Sequence, residues 1–244
     1  MYDERERITY YDLDGNGVLK FSAFLRMVHN AADINAGVLG VGFTQLSPLG
    51  MSFVLQRFSA DATRLPAYGE EVRIRTWPAA LERGTFIRKG EMLDTAGNKL
   101  IEWASLWLLF DINERKILRP SALPVTLVGI GDEGVLFAPQ KIEPLADARP
   151  FSSHTHIIRF ADIDTNAHTN NAIYGDMINN AAHAPNREAP WKQLHINYLA
   201  ETRLGDEINI VATKSESTIH ITGAVDTDNG LLAKQVFSSR VVLL

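Results

Sequence analysis

The sequence contains no cysteine, which excludes disulfides, thiolate metal sites and a cysteine nucleophile, and removes any sign of an oxidising compartment. No apolar run approaches the roughly 20 residues of a membrane-spanning helix. Residues 1–15 carry acids and no apolar segment, so no secretory signal is expected and a cytoplasmic location follows by default. A surplus of positive charge is missing too. The 24 Lys and Arg are outnumbered by 29 Asp and Glu, and the net charge of −5 argues against a general binder of nucleic acid. What remains is an ordinary globular composition, 45% apolar and 22% charged, in 244 residues. That length allows one large domain or two of about 120 residues, each able to bury a core.

Self-comparison favours two. Asp12-Leu13-Asp14-Gly15-Asn16 returns as Asp162-Ile163-Asp164-Thr165-Asn166, and Met27-Val28-His29-Asn30-Ala31-Ala32 as Met177-Ile178-Asn179-Asn180-Ala181-Ala182, both at an offset of 150. Further on, Gly69-Glu70-Glu71-Val72-Arg73-Ile74 matches Gly205-Asp206-Glu207-Ile208-Asn209-Ile210, and Asp94-Thr95-Ala96-Gly97 matches Asp226-Thr227-Asp228-Asn229-Gly230. Four matches in one order, differing only by loop lengths, indicate a duplicated unit. Five of the 10 prolines (Pro120, Pro124, Pro139, Pro144 and Pro150) fall in one stretch, where they favour an extended connection. The expected organisation is therefore a first domain over 1–112, a linker over 113–150 and a second domain over 151–244.

Each copy reads as one helix followed by strands. Phe21, Phe24, Leu25, Val28, Ala31, Ala32 and Ile34 recur at helical spacing, as do Ile173, Met177, Ile178 and Ala181. Strand-like runs follow over 52–60, 71–77, 85–93 and 100–110, then over 193–199, 207–213, 218–225 and 231–243. The turns at 94–97 and 228–230 join neighbours into antiparallel hairpins. The class is α+β. A long helix wrapped by an antiparallel sheet, repeated in tandem, is the order a pair of hot-dog domains would give.

The densest chemical constellation is Asp162-Ile163-Asp164-Thr165-Asn166-Ala167-His168-Thr169-Asn170-Asn171, entering the second helix. Asp164, Asn166 and His168 alternate, so an extended segment would turn all three to one side. Asn170 or Asn171 would cap the helix and leave its N–H groups beside them, a setting that can stabilise an oxyanion. A polar loop without catalysis is the other reading. Against it, the first copy has Val18 where the second has His168, so the loop itself needs no histidine. Glu201 ends the run Leu194 to Leu199 and stands opposite Leu65, the same contrast; a solvated strand-end glutamate is the competing reading there.

The string Asp164-x-Asn166-x-His168-x-Asn170-Asn171-x-x-Tyr174, followed by Asn197-Tyr198-x-x-Glu201, resembles the acyl-acyl carrier protein (acyl-ACP) thioesterase family of plants and bacteria. The resemblance implies a double hot-dog fold and an active-site set of Asp164, Asn166, His168 and Glu201, with no cofactor and no metal. It implies hydrolysis of the fatty acyl-ACP thioester, with acyl carrier protein as partner, no membrane span, and a homodimer as an allowed oligomer. Two departures stand out: Thr169 replaces the usual Val, and Thr202 stands where plant members often carry Cys. In the expected mechanism Glu201 is general base on a water, Asn166 and His168 orient or polarise the carbonyl, and Asp164 holds the His168 ring. His168 as the base, assisted by Glu201, is the alternative.

Other features read as decoys. Asp12-x-Asp14-x-Asn16-Gly17 begins like a calcium loop, but its twelfth position is Ala23 and not Glu. His154 and His156 form at most half of a zinc site. The aromatics read as core, with some in the first half expected to line a pocket for the acyl chain. Rival functions are an acyl-CoA thioesterase of hot-dog type and a non-catalytic acyl-thioester binder; the complete Asp-Asn-His and Glu set speaks against the latter. Carrier proteins are acidic, so a chain of net −5 must gather positive charge locally. Arg57, Arg64, Arg73, Arg75, Arg83, Arg88 and Lys89, which outnumber the acids Asp61, Glu70, Glu71 and Glu82 there, are a candidate docking stretch and read equally as an ordinary solvated face.

Overall fold

A computed structural model of the chain describes residues 1–127, 139, 141–183, 190–226 and 233–244. Contacts divide it into two units, Met1–Ile8 with Met27–Gln140 and Thr9–Arg26 with Lys141–Leu244. The α+β class holds: antiparallel strands dominate, with few helices.

The first unit carries β1 (Tyr2–Arg7), β2 (Met51–Ala62), β3 (Glu71–Glu82), β4 (Thr85–Leu93), β5 (Lys99–Asp111) and the two-residue β6 (Lys116–Ile117). Its sheet order is β1-β3-β4-β5-β2, with β6 beside β5, every pair antiparallel. Alternating burial puts Val72, Ile74 and Thr76 of β3 inside. β1 is an edge strand whose side chains are nearly all charged, so the apolar alternation that marks strands is absent from its sequence. Pairing with β3, from Tyr2 opposite Thr76 to Arg7 opposite Glu71, makes it a strand all the same. Helix α1 (Phe21–Val38) runs through the division between the units and buries Phe21, Phe24, Leu25, Val28, Ala31 and Ala32. The short α2 (Phe43–Leu46) follows it.

The second unit carries β7 (Arg149–Ile157), α3 (Ile173–Ala182), β8 (Trp191–Tyr198), β9 (Glu207–Ser215), β10 (Thr218–Asp226) and β11 (Ala233–Leu243). Its sheet order, β7-β9-β10-β11-β8, is that of the first unit with each strand replaced by its repeat counterpart. Registers agree as well: Arg7 faces Glu71 and Ile157 faces Glu207, while Lys99 faces Leu93 and Gln235 faces Ala224. The turn expected at 228–230 lies outside the described residues. Helix α3 packs on β7, β9 and β10, and the β7 residue Ser152 donates through Oγ to the Ala181 carbonyl at 2.7 Å.

Residues 9–26 contribute directly to this unit's core. Trp191 is fully buried, with ring centroids 5.4 Å from Phe21 and 5.6 Å from Phe24, and its Nε1 donates to the Leu19 carbonyl at 3.1 Å. Gly175 of α3 lies against the start of α1 so closely that a Cβ there would come within 2.6 Å of the Ser22 nitrogen. Any larger residue would push the two backbones apart.

Candidate active site

The loop carrying the candidate residues is a tight turn, not the extended segment expected. The Asp164 N–H donates to the His168 carbonyl at 2.9 Å, and the Ala167 N–H to the Asp164 carbonyl at 3.0 Å. Ala167 takes the left-handed conformation, with φ of 61°, which closes the turn at a steric cost that its counterpart Gly17 does not bear. The Asp164 carboxylate accepts the Asn166 N–H through Oδ1 at 2.8 Å. The role read for it was to hold the His168 ring; its observed bond holds the turn on which Asn166 and His168 sit.

The His168 ring meets the other candidate. Its Nε2 lies 3.1 Å from Glu201 Oε2, both side chains partly exposed. Glu201 sits where the chain leaves β8, and the Leu199 and Ala200 N–H groups both reach the Val236 carbonyl on β11. The Arg203 guanidinium comes no closer than 4.0 Å to the same carboxylate oxygen. Asn166 is exposed in the middle of its turn, leaving its carboxamide open to a ligand.

A buried chain of hydroxyls fastens one segment to the other. Thr202 Oγ1 donates to Thr169 Oγ1 at 2.7 Å, and Thr169 Oγ1 donates to the Thr202 carbonyl at 3.2 Å. With both threonine protons assigned, the contact of 2.9 Å between Tyr174 and Thr202 Oγ1 has Tyr174 as its donor. The Thr169 N–H adds a bond of 2.9 Å to the Thr202 carbonyl. Burial above all raises the Tyr174 phenol above its ordinary pKa, consistent with a pure donor. Thr169 and Thr202, read from the sequence as two separate departures from the family motif, thus touch each other and tie His168 to Glu201. Two changed positions next to the candidate residues were the available signal; their contact was not legible.

The helix cap and the docking stretch differ from expectation. The N-cap of α3 is Ala172, without a side-chain cap bond; Asn170 acts one turn earlier, accepting the Ala172 N–H through Oδ1 at 2.9 Å. His156 Nε2 lies 3.3 Å from Asp162 Oδ2, and among the described residues no group of three or more His, Cys, Asp or Glu is arranged to hold a metal. The expected docking stretch is largely occupied. Arg64 pairs with Glu70 at 2.7 Å, Arg75 with Glu91 at 2.8 Å, and Arg73 with Asp3. Arg88 points inward to Asn35 Oδ1 at 2.8 Å and Thr76 Oγ1 at 3.2 Å, and burial lowers its guanidinium pKa to about 10. Lys89 is buried as well, whereas Arg83 is exposed.

Comparison with known proteins gives the family and the fold. Residues 1–121 match the acyl-ACP thioesterase N-terminal domain family, and residues 146–237 match the acyl-ACP thioesterase C-terminal domain family. A search of curated proteins finds no match. Among solved structures, an acyl-ACP thioesterase from Bacteroides thetaiotaomicron shares the fold with a TM-score of 0.86 at 23% identity, over 99% of this chain and 97% of that one. A 12:0-ACP thioesterase from Umbellularia californica does so with a TM-score of 0.80 at 20% identity, over 100% of this chain and 96% of that one. With both halves matched in order, the chain belongs to the acyl-ACP thioesterase family.

Proposed function

We propose that this chain hydrolyses the thioester of fatty acyl-ACP, releasing the fatty acid and ending its elongation, with Asp164, Asn166, His168 and Glu201 as the working set. The observation that carries the reading is the contact of 3.1 Å between His168 and Glu201, in the copy whose counterpart positions hold Val18 and Leu65. Glu201 takes a proton from the attacking water, and the His168 ring N–H fixes the carboxylate for that task. The water oxygen bonds to the acyl carbon, the C–S bond breaks, and the proton passes to the departing thiolate. The Asn166 carboxamide, on the same turn, polarises the thioester carbonyl. Asp164 acts by closing that turn. A thiolate leaves readily, so little acid assistance is needed.

The domains follow the sequence repeat in this reading: two tandem hot-dog domains over 1–112 and 151–244, joined by 113–150. Those are boundaries of the repeat; contact grouping differs from them in assigning Thr9–Arg26 to the second unit. In the first unit a cavity of about 350 Å³, lined by residues including Pro78, Leu81, Phe86, Leu123 and Leu127, suits the apolar end of an acyl chain. The deciding experiment measures thiol release from purified acyl-ACP and acyl-CoA substrates of varied chain length. Turnover of acyl-ACP well above acyl-CoA is expected. Preference for acyl-CoA would make the chain a CoA thioesterase, and no turnover of either would leave a binding protein.

A further inference from the structure

The two copies differ at matched positions beyond the catalytic pair. Backbone hydrogen bonds fix the equivalence: the Ile8 N–H reaches Glu70 and the Gly69 N–H reaches Ile8 in the first copy, as the Ile158 N–H reaches Asp206 and the Gly205 N–H reaches Ile158 in the second. On that frame Thr9 corresponds to Arg159 and Ala67 to Arg203. The second copy therefore adds two arginines beside the residues it uses for chemistry. They stand on adjoining turns, because the bonds from Ile158 to Asp206 and from Gly205 to Ile158 bring 158–160 against 203–206.

The acids of these turns are spent on their own backbone. Asp162 Oδ2 accepts the Arg159 N–H at 2.8 Å, and Asp206 Oδ2 accepts the Arg203 N–H at 2.8 Å. Both arginines are exposed, and among the described residues Arg203 has only the distant Glu201 contact of 4.0 Å while Arg159 has no ion pair. Next to each stands an exposed apolar side chain, Phe160 at 84% and Leu204 at 60%. Exposed apolar groups at these points are shared with the first copy, where Tyr10 and Tyr68 stand; the arginines are not. Arginine beside an exposed aromatic is the composition of a protein interface. The nearby exposed carboxylate of Glu207 limits the patch on one side.

We propose that Arg159, Phe160, Arg203 and Leu204 form the surface on which the acidic carrier protein docks, in place of the stretch around Arg83. The proposal rests on the functional reading above and names where the partner of that site sits. Docking two residues from Glu201 delivers the thioester to the carboxylate, and the positive pair speeds encounter with an acidic partner.

The test compares one acyl group presented on carrier protein and on N-acetylcysteamine, a small neutral thiol. For Arg159→Glu, kcat/KM on the carrier substrate should fall about tenfold at low salt through KM, with the loss shrinking at high salt, and the small thioester should be hydrolysed within about twofold of wild type. Phe160→Ser should cost the carrier substrate severalfold with little salt dependence. Arg203→Glu, being close to Glu201, is read only from the ratio between the substrates. Equal losses on both substrates, unchanged carrier kinetics, or a carrier-specific loss in Arg83→Glu but not in Arg159→Glu would overturn the proposal. Wild type that hydrolyses the small thioester but not the carrier thioester would instead overturn the functional reading, and the docking surface with it.

Discussion

The loop ending in Val18 and the loop ending in His168 are built alike but end in different side chains. In each, an aspartate N–H bonds the carbonyl four residues on, Asp14 to Val18 at 2.8 Å and Asp164 to His168 at 2.9 Å. In each, Oδ1 of that aspartate holds the N–H of an asparagine, Asn16 at 2.9 Å and Asn166 at 2.8 Å. Each closes on a left-handed residue, Gly17 or Ala167, and bridges Leu13 to Leu19 or Ile163 to Thr169. None of these bonds uses the side chain of residue 18 or 168. A position whose side chain the framework leaves idle can change without cost to the fold, and there the second copy carries histidine. Glu201 repeats the lesson, since the strand-end bonds to Leu100 in the first copy and to Val236 in the second leave Leu65 and Glu201 alike out of the backbone plan.

The sharpest way to break this comparison is to impose the first copy's residues on the second. His168→Val and Glu201→Leu should each stay folded, with an unchanged thermal midpoint, while turnover falls by a factor of order 10² or more, the scale of losing a general base or a carbonyl-polarising group. The double variant should lose less than the product of the two single losses if both groups serve one water and one carbonyl, as proposed. Folded single variants with near-normal thioester hydrolysis would remove the chemistry from this half.

The aspartates sharpen the comparison at smaller cost. Asp164→Ala removes the bond that shapes the turn under Asn166 and His168, and kcat should fall roughly 10-fold to 100-fold. Asp14→Ala removes bonds to Asn16 and Val18 and the contact of 2.9 Å between Asp14 Oδ2 and His183 Nε2. It should cost about 1–3 kcal/mol of stability, read from denaturant unfolding, and leave the kcat of the folded fraction unchanged. A kcat loss in Asp14→Ala equal to that in Asp164→Ala would mean that the two turns do not divide structure and chemistry as described.

Acid, by contrast, should affect both units. Burial lowers the pKa of His29 in the first and of His195 in the second to about 4, with Arg240 adding to the effect on His195. An unfolded chain takes up these protons near pH 6.5 whereas the native one refuses them until about pH 4. This contribution to stability is therefore complete above pH 6.5 and declines as pH falls toward 4, by up to roughly 3 kcal/mol per histidine. His29→Phe, which keeps an aromatic ring against Phe58 and Trp107, should flatten that decline by about half in denaturant titrations at pH 7 and 4.5. An unchanged slope would mean that His29 titrates freely.

Much of this framework could be read from the sequence, because periodicity and repetition are properties of side-chain order. β4 was delimited to the residue, and β2, β5, β8, β9, β10, β11 and both long helices to within a few residues; β3 runs five residues beyond its expected end, and β7 was not among the delimited strands. β1 escaped because an edge strand held by backbone pairing can be charged on both faces. The turn at 164–168 was misread as extended because alternating polar residues suit a strand and a tight turn equally; the positive φ at Ala167 leaves no mark in an alanine. Arg88 was placed on the surface because composition cannot say that Asn35 and Thr76 wait inside to receive it. His168 and Glu201 were singled out through what their counterparts lack, a signal that exists only in a duplicated chain.

The smallest expected effect concerns how His168 is kept against Glu201. Thr169 follows His168 and Thr202 follows Glu201, so the bond of 2.7 Å between their hydroxyls fixes the relative position of the two proposed catalytic side chains from one residue away. Thr202→Cys puts a longer, weaker donor there and leaves the buried Tyr174 hydroxyl with a poor acceptor; Thr169→Val deletes the acceptor for Thr202. Each should lower kcat severalfold with KM nearly constant and cost roughly 1 kcal/mol of stability, the net worth of one such bond. Because either change already breaks the shared bond, Thr169→Val with Thr202→Cys should fall well short of the sum of the single effects. Mere packing would predict additive losses in stability and an unchanged kcat of the folded protein. Positioning predicts a lowered kcat at constant KM in both single variants. Additive losses together with an unchanged kcat would reduce the threonines to ordinary core residues and leave the geometry of His168 and Glu201 to the turn and strand alone.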